Sequence, residues 1–198
     1  MSKEMILDKD KIAVLIMDYQ NKQIQNQPEQ KRDILIEKAR GVLATARSLK
    51  LPIIHVEVRS RQGPPEFKPW DITRRQHSGS EDLGEREDIF KIHPEVQPAS
   101  GESVVTKRRI GPFSTTNLFD ILLDLRVEQI VLLGISTGGV VLSVVRWAAD
   151  IDYEIVVLAD ACSDADEEVH QVLVDKVFPR QAAVMTCKEF LQKLADHG

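Results

Sequence analysis

One feature constrains the fold of this chain more than any other. A short, continuous apolar run is handed over, again and again, to a longer segment with apolar residues at helical spacing. The first run, KIAVLIMD (11–18), has five or more apolar residues in a row and stops at an acid. A strand that is wet on one side alternates apolar and polar residues. An unbroken run instead suits a strand buried on both faces, as in a parallel sheet covered by helices. Residues 28–50 follow, with Ile34, Leu35, Ala39, Val42, Leu43, Ala46 and Leu49 spaced for one helical face and charges between them. PIIHVEV (52–58) is the next strand.

The pattern continues. SVVT (103–106) is a short strand that ends at Lys107, and 116–125 is a helix with Ser114 or Thr115 as its N-cap. QIVLLG (129–134) is a strand, followed by a turn and a helix from about 139 to 150. YEIVVLA (153–159) is a strand, 167–177 a helix, 182–185 a last short strand and 188–195 a last helix. Six strands alternating with helices imply βαβ units, so the expected fold is a three-layer α/β/α sandwich around a mostly parallel six-stranded sheet. The segment 60–80 is rich in Pro, Gly, Arg and Gln, contains Phe67 and Trp70, and shows no sustained period. It reads as a long loop, a place where specificity often resides.

Bulk properties exclude several classes. With 198 residues and 42% hydrophobic content, the chain can bury a core of one ordinary domain. A net charge of −5 argues against nucleic acid as partner, since phosphate-backbone binding needs a dominant basic face. No apolar run reaches membrane-spanning length and no signal-peptide core opens the sequence, so no membrane partner and a cytoplasmic location are expected. Two cysteines, Cys162 and Cys187, make no disulfide framework. The histidines are scattered without metal-ligand spacing, and neither metal nor cofactor is expected.

In parallel sheets, ligands bind outside the carboxyl ends of the strands. Three such ends carry reactive groups. Asp18 follows the first apolar run, where partial desolvation would raise its pKa and suit it to proton transfer; an acid that merely caps a loop is equally compatible. Lys107 could hold Asp18 ionised or stabilise developing negative charge, although Arg108 and Arg109 after it also fit a solvated basic turn. The turn Ser136–Thr137–Gly138–Gly139 opens a helix, whose free N–H groups favour an anion or oxyanion; a plain N-cap is the simpler alternative.

These segments resemble the isochorismatase-like hydrolases, also called the cysteine hydrolase superfamily. IAVLIMDYQN is similar to their opening strand, VVTKRRIGPFSTTNL to their lysine segment, and VLLGISTGGVVLSVVRWAADIDYEIVVLADACSD to their nucleophile segment. EVHQVLVDKVFPRQAAVMTCKEFL is similar to their closing helix–strand–helix. The resemblance implies one isochorismatase-like (Rossmann-like) domain over 1–198, a small-molecule substrate and a homo-oligomer, dimer or tetramer. It implies Asp18 and Lys107 as catalytic groups. Gln20, Phe113, Ser136, Thr137, Gly138, Gly139 and Val140 would line the substrate. It also sets the family's cysteine at Val140, and a valine side chain cannot attack a carbon.

Two readings follow. One is a hydrolase that works on a small polar substrate by acid–base chemistry of Asp18 with Lys107, without a cysteine nucleophile, as the resemblance implies for the isochorismatase branch. The other is an inactive member kept as a ligand-binding or oligomeric scaffold. A hydroxyl nucleophile (Ser136, Thr137 or Ser143) ranks below both, because the sequence offers no adjacent base beyond Asp18.

Overall fold

The computed structural model describes residues 5–59 and 88–196. The expected loop over 60–80, with Phe67 and Trp70, lies outside the described residues. Six strands form one sheet in the order β3-β2-β1-β4-β5-β6, all neighbours parallel. The strands are β1 (Ile12–Met17), β2 (Ile53–Val58), β3 (Ser103–Lys107), β4 (Gln129–Ile135), β5 (Glu154–Ser163) and β6 (Ala183–Met185). This is the doubly wound order whose direction reverses between β1 and β4, and ligands of such sheets sit in the crevice at that reversal. The α/β sandwich expected from the apolar runs is the fold observed.

Each central strand buries both faces, which is why its sequence is an unbroken apolar run. Every residue of β1 and β4 is buried. Val14, Ile16, Val131 and Leu133 face one core with α1 (Asn21–Gln25), α2 (Glu29–Ser48) and α6 (Cys187–Asp196). Ala13, Leu15, Met17, Ile130 and Leu132 face the other, with α3 (Leu118–Asp124) and α4 (Leu142–Ala149). Each buried leucine, isoleucine or valine stabilises by roughly 1.5–3 kcal/mol relative to exposure.

Several boundaries differ from the sequence expectations. Neither α1 nor the short 3-10 turn Pro94–Val96 was foreseen, because single turns carry no period. The α3 helix starts at Leu118 rather than 116, and the expected caps Ser114 and Thr115 do not serve it. Instead Thr116 Oγ1 accepts from the Leu118 N–H at 3.1 Å and donates to the Pro112 carbonyl at 2.8 Å. The β5 strand runs on to Ser163 past a register break opposite β4, between Leu132 and Gly134. The helix expected over 167–177 is α5 (Glu167–Val172) followed by a wide turn, Leu173–Val177. Asp166 caps α5 by accepting from the Glu168 and Val169 N–H groups. Among the described residues no helix is long and apolar enough to cross a membrane.

Candidate active site

Asp18 and Lys107, distant in sequence, meet at the carboxyl edge of the sheet. Lys107 Nζ lies 2.7 Å from Asp18 Oδ2, and the two residues are 3% and 5% exposed. Asp18 follows β1 directly and takes a left-handed backbone (φ 56), a conformation that aspartate tolerates better than most residues. Its N–H donates to the Val56 carbonyl at 2.8 Å, so the bend is anchored on β2. Lys107 Nζ also donates to the Arg109 carbonyl at 3.2 Å, which leaves ammonium capacity beyond these two partners.

The carboxyl of Asp18 is pushed up to about 6. Burial is the largest cause and raises it; the charge and hydrogen bond of Lys107 pull the other way, and the nearby Glu57 raises it further. Asp18 Oδ1 is buried and has no hydrogen-bond partner among the described residues. A buried carboxylate with one oxygen bare and a pKa near neutrality is suited to receive or deliver a proton.

Glu57 is a member of this corner that sequence reasoning passed over. It is buried, its Oε1 accepts from Thr106 Oγ1 at 2.9 Å, and Arg59 Nε pairs with it at 2.6 Å. The signal was present in PIIHVEV: a lone acid near the end of an apolar strand, the same signal that singled out Asp18.

The turn after β4 stands at the same carboxyl edge of the sheet, because β4 is the parallel neighbour of β1 with Gly134 opposite Met17. The Ile135–Ser136 peptide is cis, and Thr137–Val141 makes one wide i→i+5 turn before α4. The Ser136 carbonyl accepts from Gly139 N at 3.2 Å and Val141 N at 3.3 Å. It does not accept from Val140, whose N–H lies between these two donors in the same turn. The Gly138 N–H is already engaged by Asp164 Oδ2 at 2.7 Å. Gly139 cannot be replaced without movement, since a Cβ there would lie 2.7 Å from Ser136 Oγ.

The other candidates are partly absorbed by the protein itself. Gln20 is fully buried; its amide N–H groups donate to the carbonyls of Val58, at 3.0 Å, and Phe90, and its Oε1 accepts from Val58 N at 2.8 Å. That amide ties β1 to the end of β2, a structural task that competes with orienting a substrate. Phe113 is buried and stacks on Trp147 with centroids 4.5 Å apart. Thr137 is fully buried, with its hydroxyl 2.8 Å from His170 Nδ1. The Val140 side chain is 2% exposed and belongs to the apolar cluster of α3 and α4. Ser143 packs toward Gly111, where an added Cβ would lie 3.0 Å from its own Cβ.

Both cysteines are poor nucleophiles. Burial pushes the Cys162 thiol up to about 12, and burial together with Asp160 raises Cys187 well above its ordinary value. Thiolate is the reactive form, and neither site favours it. Among the described residues no group of three or more His, Cys, Asp or Glu side chains is arranged to hold a metal.

The isochorismatase domain family model matches residues 12–189. This chain belongs to the isochorismatase family. Two curated proteins are similar to it over most of its length. The isochorismatase family protein YwoC of Bacillus subtilis is 30% identical over 95% of this chain and 96% of its own length. The maleamate amidohydrolase of Pseudomonas putida is 25% identical over 80% of this chain and 74% of its own length. A cysteine hydrolase from Pseudomonas syringae pv. phaseolicola superposes over all of both chains with a TM-score of 0.83 at 16% identity, a likeness of fold. This isochorismatase family member therefore shares its overall fold with that protein.

Proposed function

We propose that this protein hydrolyses a small polar substrate by proton transfer at Asp18, without a covalent cysteine intermediate. The observation that carries the proposal is the buried Asp18 Oδ1, without a hydrogen-bond partner among the described residues, beside an oxygen held by Lys107. A carboxyl that served only to cap a loop or balance a lysine would have both oxygens occupied, because an unpartnered buried acceptor is costly.

In this reading the protonated form of Asp18 acts as general acid. It delivers its proton to the substrate while the neighbouring oxygen keeps its contact with Lys107. Water adds to the activated carbon and gives a proton back to Asp18, the bond from that carbon to the leaving nitrogen or oxygen breaks, and the amine or alcohol departs protonated. Lys107 stabilises negative charge in the corner, and the Val140 N–H is the donor for an oxygen that gains charge as the reaction proceeds. The side chain at 140 supplies an apolar wall and nothing else. A maleamate-hydrolysing relative supports testing small amides that carry a carboxylate. The family's name supports testing isochorismate and other vinyl ethers.

The test is a panel of small amides and vinyl ethers, isochorismate included, given to the wild type and to Asp18→Asn, with the fold of both checked by circular dichroism. Turnover by the wild type that is lost in Asp18→Asn supports the proposal. Turnover that survives Asp18→Asn contradicts it. A folded wild type that turns over no member of the panel favours the scaffold reading.

A further inference from the structure

The turn after β4 is gripped from behind by two side chains of the β5–α5 corner. Asp164 takes the Gly138 N–H, and His170, on α5, meets the Thr137 hydroxyl at 2.8 Å through Nδ1. Thr137 is fully buried, so water is no substitute partner for that hydroxyl. The grip acts on the residues that precede Val140, whose N–H the hydrolase reading uses.

We propose that His170 is a positioning residue for the reaction: by accepting the Thr137 hydroxyl at Nδ1, it holds the turn in the form that presents the Val140 N–H. The inference rests on the hydrolase reading of the site given above. A neutral imidazole with its proton on Nε2 can accept at Nδ1. The protonated ring has donors at both nitrogens and cannot. On protonation the contact must reverse, with Nδ1–H donating to the Thr137 oxygen, and the hydroxyl hydrogen has to seek another acceptor within the turn.

The surroundings favour the neutral ring at neutral pH. Burial is the largest cause and lowers the His170 pKa from its ordinary 6.5. Glu167 on the same helix raises it, Lys31 from α2 lowers it, and Asp164 and Asp175 raise it. Glu167 is itself paired with Lys31, which blunts its effect on the ring. The acid form of Asp18 accumulates below about 6, whereas the held turn needs neutral His170. Activity therefore passes through a maximum on the acidic side of neutrality and falls again as His170 takes up a proton.

The experiment compares His170→Ala, His170→Asn and Thr137→Val with the wild type, by pH–rate profile and by amide spectra of nitrogen-15-labelled protein. Asparagine keeps an acceptor near the Nδ1 position and does not titrate. His170→Ala is expected to lower kcat by about tenfold or more with KM little changed, as for a misplaced transition-state donor. His170→Asn is expected to restore most of that kcat and to abolish the fall on the acid side. In the wild type the amide signals of Gly138, Gly139 and Val140 should follow the imidazole titration, and Thr137→Val should uncouple them. A Val140 amide indifferent to that titration, or an acid limb unchanged in His170→Asn, overturns the proposal. If no substrate is turned over yet the amides follow the imidazole, the positioning of the turn is upheld and the hydrolase reading alone falls.

Discussion

Two carboxylates near the β2–β3 side of the sheet have opposite fates. Asp18 is pushed up to about 6, and Glu102 is drawn down to about 2. Burial works to raise both. The difference lies in what fills the oxygens. Glu102 takes Arg47 Nε at 2.7 Å on Oε1; Oε2 takes Arg47 Nη2 at 3.0 Å, His55 Nε2 at 2.8 Å and the Ala99 N–H at 2.9 Å. Among the described residues, Asp18 has Lys107 on one oxygen and no hydrogen-bond partner on the other. A saturated carboxylate is a structural pin, whereas one with unspent acceptor capacity is available to a substrate.

The sharpest way to break that contrast is Asp18→Asn. It should cut kcat by about 10²- to 10⁴-fold, the usual share of a general acid, with the circular dichroism spectrum retained. Lys107→Met comes next. Without the cation the Asp18 pKa should climb by about 1–3 units, and the limb of the pH–rate profile should move up with it. Glu102→Gln tests the other side of the comparison. It should cost about 1–3 kcal/mol of stability in denaturant unfolding and leave turnover unchanged, since its partners are structural.

The pH dependence of stability should separate the two groups as well. Glu102 has a folded pKa below its ordinary 4.5, so its stabilisation is present above that value and is lost as pH falls toward about 2. Asp18 has a folded pKa above its ordinary 3.8, so its contribution declines as pH rises from there to about 6. Asp18→Asn should flatten the higher window and Glu102→Gln the lower one. The smallest effect is expected from Val140→Cys, because only the backbone of residue 140 is used. Its kcat on the best substrate should change by less than about tenfold, which is under about 1.4 kcal/mol.

Much of the fold was legible because burial on both faces writes itself into sequence as unbroken apolar runs, and β1 and β4 are such runs. Asp18 and Lys107 were legible for a related reason: a charged residue directly after an apolar strand stands out. Their pairing follows once the strand order brings β1 and β3 to either side of β2. The contacts that sequence reasoning missed are those between side chains far apart in the chain and without a period. Thr137 with His170, and His55 with Glu102, belong to that class. Gln20 shows the converse: its place two residues after Asp18 suggested a substrate role, yet its amide closes on backbone carbonyls and an N–H. Glu57 lay in plain view within an apolar strand, and its effect on Asp18 depended on knowing that β2 is the neighbour of β1.

The central claim is that Asp18 is held near neutrality with an oxygen to spare. The most direct test is a titration of its carboxyl carbon in protein labelled with carbon-13 at aspartate, assigned by Asp18→Asn. The account predicts a midpoint near 6. A midpoint at or below the ordinary 3.8 would mean that Lys107 keeps Asp18 permanently ionised, and it would contradict the proposed role as general acid.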